Sequence, residues 1–368
     1  MKTIIFLTCI VIFITQSVGN EIPCTTPNNL AGNCVPIEKC AHLFASKQLY
    51  QTSPNPRESD IRNATCNIEA STMGVCCATE KIFELPEKCG LSDSNRIANG
   101  NETEMSEFAW MALLMYRDLD SNEVDSRCSG SLISVRYVVT AAHCLPRESE
   151  GRDSSKLEFV RLGEHIISTN PDCVNFTELN GYFEEVCADP VEDVAVESYV
   201  IHPDYRKSFI GDDIGLIRLA EAIVFKTHIS PICLPMSEEL KDSLLPNYIV
   251  AGWGYTQNME PSDVLMKALL PRIDREACQQ WFNPYKKMYN IKISERQICA
   301  GAVGLVDACA GDSGGPLMWA TKYKAGLSRY VLFGVVSYGV ESCGVKDLPG
   351  LYTRVGSYLE WILNNMKA

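Results

Sequence analysis

Gly311-Asp312-Ser313-Gly314-Gly315-Pro316 sets a serine among glycines late in a chain of 368 residues. A nucleophilic serine needs an exposed hydroxyl and backbone N–H groups aimed at the negative oxygen that develops on the attacked carbonyl. Flanking glycines permit that tight backbone and let a substrate carbonyl come close. The amides of Gly311 and Ser313 are the expected oxyanion hole. A hydroxyl is a poor nucleophile without a base, and Thr140-Ala141-Ala142-His143-Cys144 supplies one. Its small residues suit a packed strand end, and Cys144 can pin the loop. The base needs an acidic group to fix its tautomer, which Asp212-Asp213-Ile214-Gly215-Leu216-Ile217 offers. Asp213 directly precedes the apolar run and is expected at the buried strand start, with Asp212 its solvated neighbour. His143, Asp213 and Ser313 follow in that order, 70 and 100 residues apart.

Outward from these motifs the chain alternates short apolar runs with turn signals. Examples are Phe108 to Tyr116, Tyr137 to Ala142, Leu157 to Leu162, Tyr199 to His202, Ile214 to Leu219, Tyr248 to Gly252 and Tyr330 to Tyr338. Their Val, Ile, Leu and Tyr content and their spacing predict an all-β barrel or sandwich. Two helices are expected. One follows Asp274, a candidate N-cap, and runs to Trp281. The other is C-terminal, with Val355, Tyr358, Leu359, Ile362 and Met366 on one face.

The N-terminus sets the compartment. Met1-Lys2, an apolar run from Ile4 to Ile14 and small residues at Ser17-Val18-Gly19 read as a signal peptide, 1–19. No later run approaches membrane-spanning length, and no lipidation motif is visible, so no membrane partner is expected. Removing residues 1–19 leaves 16 of the 17 cysteines, an even number suited to an oxidising compartment. The formal charge of −13 becomes −14 with the loss of Lys2, which argues against nucleic acid as the main partner. N-x-S/T sequons begin at Asn63, Asn101 and Asn175. Cys24, Cys34, Cys40, Cys66, Cys76 and Cys77 crowd into 54 residues that are poor in large apolar side chains. Crosslinks must substitute for a core there. Six cysteines allow 15 pairings, with a zinc site involving His42 as the weaker alternative.

Residues 97–368 resemble a trypsin-like serine protease of the chymotrypsin fold, nearly three quarters of the chain. The resemblance implies two six-stranded antiparallel β-barrels with His143, Asp213 and Ser313 as the catalytic triad in the cleft between them, and no cofactor for catalysis. It places Asp307 at the base of the primary specificity pocket, with Ala308, Ser337, Gly339 and Gly350 along it. A carboxylate there selects Arg or Lys. Ala308 lacks a hydroxyl that would help bind the compact ammonium of Lys, whereas Arg pairs bidentately without it. Arg is therefore expected over Lys by roughly tenfold or more. Tyr338 replaces a common tryptophan, and Pro349 stands where sodium-activated relatives carry tyrosine. Arg96-Ile97-Ala98-Asn99-Gly100 is similar to an activation site, in which the freed Ile97 amine pairs with Asp312; Ala98 and Asn99 depart from the family's usual valine and glycine.

The same resemblance implies disulfides Cys128–Cys144, Cys278–Cys299, Cys309–Cys343, a Cys89–Cys233 tether across the activation site, and Cys173–Cys187 closing a surface loop. Residues 20–78 resemble a clip domain, with implied pairs Cys24–Cys76, Cys34–Cys66 and Cys40–Cys77 and a linker over 79–96. A clip domain ahead of a trypsin-like domain marks an arthropod protease of the subgroup of Easter and the prophenoloxidase-activating enzymes. That implies a secreted zymogen of haemolymph cascades of melanisation or Toll signalling, with some relatives in venoms. The implied partners are a protein substrate, an upstream trypsin-like activator and serpin-type inhibitors. A non-catalytic adaptor is the rival class, and the intact Ser313 argues against it. Glu164 follows Leu162-Gly163 where calcium-binding relatives place a ligand, and Asp172, Glu184 and Glu185 offer further oxygens.

Overall fold

The computed structural model describes residues 22–25, 31–36, 65–69, 72–78, 85–86, 88–92, 101–147, 155–177, 183–206, 211–256, 260–284, 292–301, 311–322, 327–338 and 349–367. The chain forms two compact units, one within the first 83 residues and one over Glu84–Met366.

The first unit is a small antiparallel sheet. Its strands are β1 (Ile22–Thr25), β2 (Ala31–Val35), β3 (Thr65–Glu69) and β4 (Thr72–Ala78), in the order β1-β2-β4-β3. Among the described residues, only Cys34, Val75 and Cys76 of its apolar side chains are buried, a small hydrophobic contribution. Disulfides Cys24–Cys76 and Cys34–Cys66 staple it, so these four sulfurs are not zinc ligands. The expected Cys40–Cys77 pair and His42 lie outside the described residues.

The second unit begins with β5 (Asn101–Glu102), β6 (Met111–Asp118), β7 (Val124–Ser134), β8 (Tyr137–Thr140), β9 (Ser155–Leu162), β10 (Cys173–Thr177), β11 (Phe183–Cys187), β12 (Glu192–Ile201) and β13 (Gly215–Leu219). The six strands β12-β13-β8-β7-β6-β9 close into a barrel. Inward residues such as Leu114, Leu132, Val138, Val160 and Leu216 are at most 1% exposed. Each buried leucine or valine stabilises the barrel by about 1.5–3 kcal/mol relative to exposure. Along β9 buried residues alternate with more exposed ones, as a sheet with one wet face requires, whereas in β12 only Val194 is buried.

A second barrel follows from β14 (Asn247–Gly252), β15 (Met266–Ile273), β16 (Gln297–Gly301), β17 (Pro316–Lys322), β18 (Ser328–Tyr338) and β19 (Pro349–Arg354). The order β14-β17-β18-β19-β16-β15 is closed by antiparallel pairing of β14 with β15, and β5 pairs on the outer side of β15. Tyr248, Leu270, Leu317, Val331, Phe333 and Tyr352 fill it. Closure of both sheets removes exposed strand edges.

Among the described residues the unit has three short α-helices: α1 (Glu238–Asp242), α2 (Arg275–Phe282) and α3 (Leu359–Asn365). Asp274 occupies the N-cap position of α2, but its carboxylate pairs with Arg272 at 2.7 Å instead of capping. The C-terminal helix starts later than its apolar stripe predicts. Val355–Tyr358 form a 3-10 turn, and Tyr358 at φ −120° and ψ 8° separates it from α3. Disulfides join Cys89–Cys233, Cys128–Cys144, Cys173–Cys187 and Cys278–Cys299; Cys309 and Cys343 lie outside the described residues.

Candidate active site

His143 sits in the 3-10 turn Ala142–Cys144 directly after β8. The turn is fixed from three sides. Cys144 is bonded to Cys128 of β7, the Tyr116 hydroxyl donates to the Cys144 carbonyl at 2.6 Å, and the Thr140 hydroxyl donates to the Ser129 carbonyl at 2.8 Å. Small Ala141 and Ala142 are fully packed, which lets the turn lie against the barrel end.

Asp213 precedes β13, whose register pairs Gly215 with Thr140 of β8, so strand pairing alone brings the carboxylate to the histidine turn. Asp213 Oδ1 accepts the His143 backbone N–H at 2.9 Å, and Oδ2 lies 2.8 Å from His143 Nδ1. Two residues of the second barrel complete the shell. The Ser337 hydroxyl of β18 donates to Oδ2 at 2.6 Å, and the Thr353 hydroxyl of β19 donates to the Asp213 carbonyl at 2.7 Å. The pair therefore lies where the two barrels meet.

Burial is the largest single influence on both ionisations, and it opposes both charges. It works to lower the His143 pKa, but the charge of Asp213 and its hydrogen bond outweigh it, so His143 ends above its ordinary value. Burial works to raise the Asp213 pKa. The His143 charge and hydrogen bonds from His143, Ser337 and the His143 amide outweigh it, and Asp213 ends below the ordinary carboxylate value.

Ser313 approaches from the second barrel. Its carbonyl accepts the Ser129 N–H at 2.7 Å, next to Cys128, which is disulfide-bonded to the histidine turn. Gly314 N–H donates to the Val336 carbonyl and Gly315 N–H to the Asp312 carbonyl, both at 2.9 Å, which folds the loop tightly before β17. Gly314 is needed here: φ is +79°, and a Cβ would lie 2.2 Å from Thr140 Oγ1. Among the described residues, the amides of Gly311 and Ser313 have no acceptor and the Ser313 hydroxyl has no hydrogen bond. Two unengaged donors beside a free hydroxyl suit an incoming carbonyl. Hydroxyl-to-imidazole contacts commonly tighten only when substrate is present.

Asp312 turns away from the nucleophile. Its Oδ1 accepts the Gly254 N–H at 2.8 Å, in a niche after β14 where a Cβ on Gly252 would come within 2.1 Å of that oxygen. Gly350 lies in β19 and Ser337 in β18. Arg96, Ile97, Asp307, Ala308 and Gly339 lie outside the described residues, as does Asn63. Asn101 falls in β5 and Asn175 in β10.

One feature departs from the sequence reading. Asp212 is not a solvated neighbour: its side chain is 13% exposed and accepts from Arg296 Nη1 and from the Tyr358 hydroxyl, each at 2.8 Å. Ser337, expected along the pocket, has a further contact that the sequence did not suggest, the hydrogen bond to the Asp213 carboxylate. Nothing in the sequence singled out Thr353 as a partner of Asp213, because it lies 140 residues away.

Of the residues expected around a calcium ion, Glu164 and Asp172 lie side by side, both accepting the His165 N–H at 3.0 Å. Asp172 Oδ2 accepts the N–H groups of His165 and Ile166 at 3.0 Å, and the Thr169 hydroxyl meets Oδ1. Glu164 is buried, with Arg161 3.5 Å away and the His165 N–H on its other oxygen. Burial, then the charge of Asp172, raises the Glu164 pKa against the pull of Arg161. Glu185 is exposed, and the side chain of Glu184 is not described. Among the described residues, the only three potential ligands within 4.8 Å of one another are Cys128, His143 and Cys144, two of which form a disulfide.

Comparison with known proteins places this arrangement in context. The family description "Trypsin" matches residues 97–362, and "Regulatory CLIP domain of proteinases" matches residues 24–77. Serine protease grass of Drosophila melanogaster is 37% identical over 360 residues, covering 93% of this chain and 90% of that protein. Phenoloxidase-activating factor 3 of Holotrichia diomphalia is 37% identical over 357 residues, covering 95% of each. Spaetzle-processing enzyme of Drosophila melanogaster is 33% identical over 366 residues, covering 91% of this chain and 89% of that protein. The crystal structure of the Drosophila Grass clip serine protease of the Toll pathway superposes with a TM-score of 0.67 at 36% identity, covering 94% of this chain and 97% of that one.

Proposed function

Because this chain belongs to the trypsin family of serine endopeptidases and carries a CLIP domain, we propose that it is a secreted zymogen that cleaves a protein substrate after arginine within an extracellular cascade. The observation that carries the catalytic part is the hydrogen-bonded set His143–Asp213–Ser337 beside the loop of Ser313. In this reading Ser313 Oγ attacks the scissile carbonyl while His143 Nε2 takes its proton and later delivers it to the leaving amine. Asp213 holds the imidazole with Nδ1 protonated and stabilises the imidazolium. The free amides of Gly311 and Ser313 receive the oxyanion, an interaction strongest in the transition state. Trypsin-family catalysis of this kind needs no cofactor.

Control lies at Arg96–Ile97. Cutting there frees an amine that Asp312 can pair with, and a newly buried cation would fix the loop carrying both oxyanion donors. The niche around Asp312 supports this, since it is built from backbone, with Gly252 and Gly254 lying against that carboxylate and no side chain between. Cys89–Cys233 would keep the severed segment attached, helped by Gly90, whose N–H donates to the Pro231 carbonyl and whose carbonyl accepts the Tyr330 N–H, both at 2.7 Å. The domain plan is a signal peptide over 1–19, a clip domain over 20–78, a linker over 79–96 and the protease over 97–368. The cascade role is supported by the names of its relatives, a phenoloxidase-activating factor and a Spaetzle-processing enzyme. It implies a trypsin-like activator upstream and serpin-type inhibitors.

The test is activation of the purified zymogen with trypsin, N-terminal sequencing of the new chain, and kcat/KM on matched Arg and Lys peptides. A new terminus at Ile97 and a preference for Arg of about tenfold or more are expected. Equal rates on the two peptides would reject the assignment of Asp307 and Ala308, and a terminus elsewhere would reject the activation site.

A further inference from the structure

Asp212, one residue before the triad aspartate, stands at φ +53°, a left-handed conformation that non-glycine residues avoid unless their surroundings impose it. What imposes it here is a three-residue clamp. The same oxygen, Oδ1, accepts from Arg296 Nη1 and from the Tyr358 hydroxyl, both at 2.8 Å. Arg296 precedes β16, and its carbonyl accepts the Arg354 N–H of β19 at 2.9 Å. Tyr358 ends the turn before α3 and packs its edge on His202, whose N–H donates to the Ile214 carbonyl. The clamp thus reaches from the second barrel and the C-terminal helix to the strand start that carries Asp213.

The backbone links are short. Ile214 N–H donates back to the Asp212 carbonyl at 2.9 Å, making a tight turn with Asp213 at its apex. A turn so constrained leaves Asp213 little freedom, and the direction of its carboxylate follows from the backbone angles of Asp212. Burial, then the hydrogen bond to Asp212, drives the Tyr358 pKa upward, so its phenol stays a donor at working pH.

We propose that Asp212 is a positioning residue for catalysis: clamped by Arg296 and Tyr358, it fixes the left-handed turn that aims Asp213 at His143. This rests on the catalytic reading of Asp213 and assigns Asp212 no contact with substrate. Two properties of Asp212 are used, tolerance of a left-handed backbone and a side-chain acceptor. Asparagine shares both, and alanine has neither.

The test compares Asp212→Ala, Asp212→Asn, Tyr358→Phe and Asp213→Asn in the activated full-length protein, with active-site titration and Tm recorded for each. For Asp212→Ala, kcat is expected to fall by about ten- to a hundredfold with KM within about twofold, because misaiming by less than an ångström is felt in the chemical step. Asp212→Asn should recover kcat to within about fivefold of the parent. Tyr358→Phe, which leaves the carboxylate and Arg296 in place, should lower kcat by about three- to tenfold. Unchanged kcat in Asp212→Ala, or a loss that asparagine does not rescue, overturns the inference. If Asp212→Ala does not fold, unchanged kcat in Tyr358→Phe overturns it. Collapse of kcat in Asp213→Asn beside a neutral Asp212→Ala would defeat this inference alone; a neutral Asp213→Asn would defeat the catalytic reading itself.

Discussion

Replacing Asp213 by asparagine isolates what the carboxylate does, because the geometry dictates how the amide must sit. Oδ1 faces only the His143 backbone N–H, a donor that cannot be reversed. Oδ2 faces His143 Nδ1 and the Ser337 hydroxyl, and both of those can switch from donor to acceptor. Putting the NH₂ at the Oδ1 place would leave a buried donor facing a donor, at a cost of about 1–3 kcal/mol. The amide therefore turns its NH₂ toward Nδ1. That makes Nδ1 the acceptor and moves the ring proton to Nε2, the atom that must take the proton of Ser313. The same exchange in the well-studied triad costs about 10⁴ in kcat, equivalent to about 5.5 kcal/mol of transition-state stabilisation. The assay is kcat/KM on a fluorogenic Arg peptide with trypsin-activated, repurified Asp213→Asn protein, with folding checked by Tm. A loss of about 10³–10⁴ with a cooperative unfolding transition is expected. A loss of under about tenfold would refute the tautomer argument and with it the role given to the His143–Asp213 bond.

Other outcomes follow from the same geometry. Activity requires neutral His143, whose pKa lies above the ordinary 6.5, so the rising limb of kcat/KM against pH should have its midpoint above 6.5; a midpoint below it would contradict the pairing. Stability from this pair should be fully present between the ordinary values of 3.8 for Asp213 and 6.5 for His143. It is lost above that window as His143 deprotonates and below it as Asp213 protonates, which Tm against pH in parent and His143→Ala protein would reveal. Lys267 and Glu107 form a buried ion pair at 2.6 Å, with side chains 7% and 1% exposed. Glu107→Gln removes the carboxylate charge that faces the buried Lys267 ammonium and should cost about 3–5 kcal/mol, a fall in Tm on the order of 10 °C. Calcium added after chelation should raise Tm by several degrees, because a cation would relieve the crowding of the Glu164 and Asp172 carboxylates; an unchanged Tm would show that no ion binds there.

The parts of the molecule legible in its sequence are those specified locally. Gly314 is required by its own φ and by what lies against it, and Asp213 by the apolar strand it opens, so short windows exposed both. Inward-facing runs such as Ile214 to Leu219 announced strands for the same reason. The first half of β12 did not, because Glu192 and Asp193 put charge at the start of the strand while backbone pairing to β9 holds them in the barrel. Asp212 was misread because its partners lie 84 and 146 residues away. Tyr358 looked like one more apolar position on a helix. Its ring does pack inward, but its hydroxyl ends on a carboxylate that no window around residue 358 contains.

The central claim is that Ser313 becomes a nucleophile once Arg96–Ile97 is cut. Labelling with a fluorophosphonate, followed by peptide mapping, tests it most directly. Intact zymogen should take up little label. Protein cut at Arg96 should take up about one equivalent, mapped to Ser313 and abolished by Ser313→Ala. Full labelling of the uncut chain, label on another serine, or no labelling after the cut would contradict the account.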